Sequence, residues 1–117
     1  MRPGLIAALF ATLLIGIAAV RSGRTPALPP GATHLVVIEG MKFSPATLRI
    51  RAGERVIFKN NDLVPHTVTS KEKDRFDSGS LKAGESWSLT FKTQGRFPFR
   101  CSFHPMMEGE ILVAGPE

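Results

Sequence analysis

Within Cys101-Ser102-Phe103-His104-Pro105-Met106-Met107 the chain sets a thiol, an imidazole and a thioether at three-residue spacing, as Cys-x-x-His-x-x-Met. A thiolate with imidazole nitrogens and a weak thioether is a soft donor set, the kind that selects copper in electron-transfer sites. Such a site needs a second imidazole. His66, in Leu63-Val64-Pro65-His66-Thr67-Val68, is the candidate. The expectation is therefore that His66, Cys101, His104 and Met107 hold one copper ion, with Met106 the rival for the axial thioether.

Taken singly, each residue has a plainer reading. A lone cysteine is a small buried hydrophobe, a histidine in a turn lies at the surface, and methionines fill gaps. Together they argue otherwise: one of three histidines stands three residues after the single cysteine, with methionine three further on. His34 has no such context and reads as a surface residue. Zinc favours four tetrahedral donors without a thioether, so one Cys and two His leave it a ligand short. A Cys-His hydrolase would need an exposed thiolate, and no orienting carboxylate follows His66 or His104. The same donors could instead serve copper delivery or storage, which would show as transferable Cu(I) binding with negligible electron exchange.

The elements that must position these groups are short strands. Leu35-Val36-Val37-Ile38 is a β-branched run, and Thr47–Arg51 alternates with Leu48 and Ile50 inward. Ala52-Gly53-Glu54 turns the chain into Arg55-Val56-Ile57-Phe58-Lys59, which Asn60-Asn61-Asp62 breaks. Pro65 introduces a further strand, His66-Thr67-Val68-Thr69. Residues 70–80 are polar and charged apart from Phe76 and read as a surface excursion. Trp87, Leu89 and Phe91 alternate next, then Phe97, Phe99 and Cys101. Glu108-Gly109-Glu110 leads to a closing strand, Ile111-Leu112-Val113. No helix is predicted after residue 33. Strands at this spacing predict an all-β antiparallel sandwich or barrel. Cys101 shares a face with Phe97 and Phe99, so its sulfur points inward at one strand end. His104 and Met107 follow in the loop leaving that end.

The 117 residues carry a net charge of +5, but Arg2, Arg21 and Arg24 flank an N-terminal apolar run. The remainder is nearly balanced and has no basic cluster interleaved with aromatics, which argues against nucleic-acid binding. The run itself, Leu5 to Val20, has no charge and predicts an apolar helix. Residues 1–24 therefore read as a signal peptide or N-terminal membrane anchor, with a possible tether through residues 5–20. Residues 25–33 read as a Pro-rich linker and residues 34–117 as the folded domain. The expected location is periplasmic or otherwise extracytoplasmic. One cysteine cannot form an intramolecular disulfide.

From Met41 to Val113 the chain resembles the small blue copper proteins (cupredoxins), of the amicyanin and plastocyanin kind. The stretches that carry the resemblance are Met41-Lys42-Phe43, Gly53-Glu54-Arg55-Val56, Pro65-His66-Thr67-Val68, Ser88-Leu89-Thr90-Phe91 and Cys101 to Met107. The two residues between His104 and Met107 match the amicyanin spacing. The resemblance implies a Greek-key β-sandwich, a type 1 copper centre and electron transfer rather than an enzyme activity. It also implies His66, Cys101 and His104 as equatorial ligands with Met107 axial, and Thr67 bracing the metal loop through Ser102. Phe103 departs from the family, where proline is common. Redox partner proteins are expected to dock transiently near His104 on an apolar patch, with Lys59, Lys82, Arg96 and Arg100 as a basic rim. The protein is expected to be a monomer.

Overall fold

Side chains that alternate along a strand give it one face for the interior and one for water. In the computed structural model, which describes residues 31–115, that alternation is written into eight strands. They are β1 (Thr33–Ile38), β2 (Phe43–Ser44), β3 (Thr47–Arg51), β4 (Glu54–Asn60), β5 (Thr69–Ser70), β6 (Ser86–Phe91), β7 (Gly95–Arg100) and β8 (Glu108–Ala114). One sheet has the order β2-β1-β4-β6 and the other β3-β8-β7-β5. The all-β sandwich is as expected. The apolar helix expected over residues 5–20 and most of the expected linker lie outside the described residues.

The sheets are mixed, which corrects the expectation of purely antiparallel pairing. β1 runs parallel to β4, and β3 parallel to β8. Parallel neighbours need a crossover, and here the chain supplies it by changing sheets: β3 lies between β1 and β4 in sequence but in the opposite sheet. Alternation looks the same in either direction, so the pattern cannot report it.

The two inner faces meet in a core that includes Val36, Ile38, Val56, Phe58, Phe97, Phe99, Ile111 and Val113. Phe99 is fully buried and stands edge-on to both Phe43, at 4.8 Å between centroids, and Phe58, at 5.4 Å. Such T-shaped contacts match the positive ring edge to the negative face. The expected surface excursion is largely exposed, but its Phe76 folds back edge-on to Phe91 at 5.9 Å.

Two local features differ from the sequence expectation for identifiable reasons. Residues 66–68 are not a regular strand. His66 makes only an isolated bridge to Leu81, while Thr67 N faces a sulfur and Val68 N donates to Ser78 Oγ. Side chains take the backbone bonds that a ladder would have used. Gly109, expected to lead into the closing strand, instead sits within β8 opposite Phe99. A Cβ there would lie 2.6 Å from Phe99 Cζ and 2.9 Å from Ala46 O. The glycine is needed because the ring occupies the space of a side chain.

Glu54 opens β4 in a buried position, where its Oε1 accepts from Arg51 N at 2.9 Å and faces His34 Nε2 at 2.8 Å. His34 is thus half-buried against a partner rather than a free surface residue. The Arg51 N–H bond holds the Glu54 carboxyl below its ordinary range. Burial opposes this, while the His34 bond and the His34 and Arg51 charges assist it.

Two outcomes follow for stability. Gly109→Ala should lower it by about 1–3 kcal/mol through overpacking, read as a shift in the urea midpoint at unchanged slope. For Glu54, the lowered pKa means that the unfolded chain holds the proton more tightly, so stability rises with pH. Its contribution is complete above the ordinary value of 4.5 and is lost as pH falls through the folded value. Glu54→Gln should therefore be less stable than wild type at neutral pH and should flatten the acid limb of the stability–pH curve.

Candidate metal centre

β7 delivers Cys101 to the interior at its end, as the Phe97-Phe99-Cys101 alternation requires, and the sulfur is fully buried. The loop that follows folds back on itself: Met107 N donates to His104 O at 2.8 Å, and Cys101 N donates to Met107 O at 3.0 Å. These two bonds close residues 101–107 into a short, tied loop. His66 reaches the same place from the other sheet's side. It follows β4, whose last residue, Asn60, is buried with its amide fully used. Asn60 Nδ2 donates to Val64 O and Leu81 O, both at 2.9 Å, and Oδ1 accepts from Asp62 N at 2.9 Å. His66 N and O are in turn paired with Leu81 O and N.

The result brings three predicted donor atoms together. Cys101 Sγ lies 3.7 Å from His66 Nδ1 and 3.7 Å from His104 Nδ1, and all three lie within 4.8 Å of one another. At 3.7 Å these are poor hydrogen bonds, but the spacing suits a shared ion. Bonds of about 2.3 Å to sulfur and about 2.0 Å to imidazole nitrogen, opened by about 120°, separate the two donors by about 3.7 Å. Among the described residues no carboxylate oxygen joins the group. Thr67 N–H points at Cys101 Sγ at 3.4 Å, a contact that suits a thiolate.

Met107 is buried at 5% exposed, at the closing end of the loop, whereas Met106 is 94% exposed. The two thioethers, equivalent in composition, have opposite surroundings. His34 lies at the first strand and takes no part. The bracing expected of Thr67 is present: its Oγ1 accepts from Ser102 N at 2.8 Å and contacts Ser102 Oγ at 3.1 Å and Thr69 Oγ1 at 2.8 Å.

Sequence reasoning missed two residues. Asn60 and Asp62 read there only as turn formers that break a strand. Asp62 is the carboxylate beside His66, and it precedes the histidine rather than following it. Its Oδ2 lies 2.8 Å from His66 Nε2 and accepts from Met41 N at 3.0 Å, while Oδ1 accepts from Gly40 N at 2.7 Å. Burial alone would raise the Asp62 carboxyl, but the Met41, Gly40 and His66 bonds outweigh it and hold it below its ordinary range. The i, i+4 spacing of Asp62 and His66 was the available signal. The backbone donors at 40 and 41 had none.

Around His104, which is half-buried, the surface is apolar. Met41, Phe103, Pro105 and Met106 line a shallow depression with His104 and Met107. Leu63 and Val64 are exposed as well.

Known proteins are similar to this chain in sequence and fold. Residues 5–113 match the family profile described as a cupredoxin-like domain. Amicyanin-alpha of Methylorubrum extorquens is 34% identical over 90 residues, covering 73% of this chain and 74% of its own. Chloroplastic plastocyanin of Fritillaria agrestis is 31% identical over 118 residues, covering 85% and 71%. Among solved structures, an amicyanin variant in its Cu(I) form superposes with a TM-score of 0.67 at 25% identity, covering 71% of this chain and 83% of that one. A purple cupredoxin from Nitrosopumilus maritimus gives 0.64 at 28% identity, covering 68% and 98%. With the profile spanning nearly the whole sequence and the fold matched, the chain belongs to the cupredoxin-like family.

Proposed function

We propose that this protein is a one-electron carrier whose copper is held by His66 Nδ1, Cys101 Sγ, His104 Nδ1 and the thioether of Met107. The observation that carries the reading is the pair of 3.7 Å sulfur–nitrogen separations in a pocket that a single ion would fill. Bound there, copper would supply exchange between Cu(II) and Cu(I). The chain's own part is restraint. His66 is fixed by Leu81 and Asp62, and Cys101 by the Met107 carbonyl and the Thr67 N–H. Donors held this way relax little between oxidation states. Burial of His66 and Cys101 also favours retention of the metal over its hand-over, against the delivery reading.

His104 offers the electron its way to the surface, because it reaches the apolar depression while His66 and Cys101 are fully buried. An apolar patch of this kind fits brief docking of a redox partner. Lys59 and Lys82 adjoin Asn60 and Leu81 in sequence, and Arg100 adjoins Cys101, which keeps the basic-rim reading for these three. Arg96 does not belong with them. It lies near the start of β7, away from the Cys101 end, and is paired with Glu110. The apolar run at residues 5–20 supports export from the cytoplasm, with residues 1–24 as leader or anchor and 25–33 as linker.

Cu(II) added to the purified protein should produce an intense visible thiolate-to-copper band, and Cys101→Ser should abolish it. A colourless mixture would end the copper reading. Met107→Leu should retain the metal and shift the reduction potential, whereas Met106→Leu should leave the potential unchanged. A shift on Met106→Leu alone would transfer the axial role.

A further inference from the structure

We propose that Asp62 is a positioning residue for the metal centre, holding the His66 proton on Nε2 so that Nδ1 stays free as a donor beside Cys101. The argument is one of hydrogen-bond polarity. A neutral imidazole has one N–H and one lone pair, and the bond made by one nitrogen decides the role of the other. Asp62 faces Nε2 at 2.8 Å with an oxygen that already accepts a backbone N–H from Met41. Its other oxygen accepts from Gly40 N. Backbone N–H groups can only donate, so both carboxylate oxygens are committed as acceptors. The shared proton therefore belongs to the ring nitrogen, and Nδ1, 3.7 Å from Cys101 Sγ, keeps its lone pair.

The fork of Gly40 and Met41 matters for a second reason. Gripped at both oxygens, the carboxylate cannot rotate away from His66. Met41 adopts φ of 61°, a left-handed conformation uncommon for a side chain of its size, and its N–H is one of the two donors. The β1–β2 turn is thus shaped to present that pair of donors. The arrangement ties the surface turn carrying Met41, at the rim of the apolar depression, to the fully buried imidazole.

The Asp62 carboxylate accepting from Nε2–H also makes Nδ1 a stronger donor, which favours the more highly charged metal. An asparagine in place of Asp62 cannot reproduce this. Whichever way its amide turned, its NH2 group would confront at least one N–H donor, and the charge would be gone.

The inference rests on the copper reading, but a measurement on the metal-free chain separates the two. Ring 15N shifts of metal-free wild type should report His66 protonated on Nε2 alone. A proton on Nδ1 would overturn the assignment, whatever the protein does with copper. Failure of wild type to bind Cu(II) would instead overturn the copper reading and leave the tautomer standing. In the copper-loaded protein, Asp62→Asn should weaken Cu(II) binding by about 10–100-fold and Cu(I) binding by less. The potential should rise by about 59 mV for each tenfold difference. Asp62→Glu, which keeps the charge, should recover much of the wild-type potential. An unchanged potential in a folded Asp62→Asn protein would overturn the proposal. Should that variant fail to fold, the wild-type tautomer decides.

Discussion

Buried where water cannot reach it, the side-chain amide of Asn60 donates to Val64 O and Leu81 O and accepts from Asp62 N. A buried amide left unpaired would cost about 1–3 kcal/mol for each lost group, so the three bonds constrain the loops as firmly as they satisfy the side chain. Val64 and Asp62 belong to the segment that carries His66, and Leu81 to the segment that pairs with it. One polar side chain at the end of β4 therefore fixes where the first imidazole hangs. Everything on the β7 side meets it there.

Near the donors the regular sheet gives way to side-chain bonding. Thr67 serves both halves: its N–H faces Cys101 Sγ, and its Oγ1 accepts from Ser102 N. Ladder hydrogen bonds would have kept residues 66–68 flat and paired. Side-chain partners let the backbone turn its donors toward the sulfur and the loop instead. Farther in, the sheets recover their regularity, and Phe99 packs edge-on between Phe43 and Phe58 with Gly109 beneath it. A stiff core of this kind is what allows a few loop residues to hold their positions without a covalent tie.

The centre is polar and enclosed on its inner side and apolar and open on its outer side. Buried Thr67 and half-buried Asp62 bond to the donor residues on one side, while Met41, Phe103 and Met106 present thioethers and a ring to solvent. Half-buried His104 stands at the boundary between the two. The contrast sets a restrained interior against an open apolar exterior. Phe103 adds exposed aromatic area to that outer face rather than packing inward.

Local pattern determined a good deal by itself. Period-two alternation assigned the inward faces of β3, β6 and β7, because side-chain direction along a strand is a property of the backbone alone. The spacing from Cys101 to Met107 announced the donor types, because each sits within one loop. Tertiary structure decided the rest. Strand direction across β1/β4 and β3/β8 depends on how the chain crosses between sheets, to which alternation is blind. Asp62 gained its role only when the turn at Gly40 and Met41, some twenty residues earlier, closed over it. Met107 and Met106 carry the same side chain, and only the bonds of Met107 N to His104 O and Cys101 N to Met107 O turned one inward and left the other in water. In each case the deciding interaction joins residues distant in the chain or selects between chemically identical neighbours, which alternation and residue type alone do not encode.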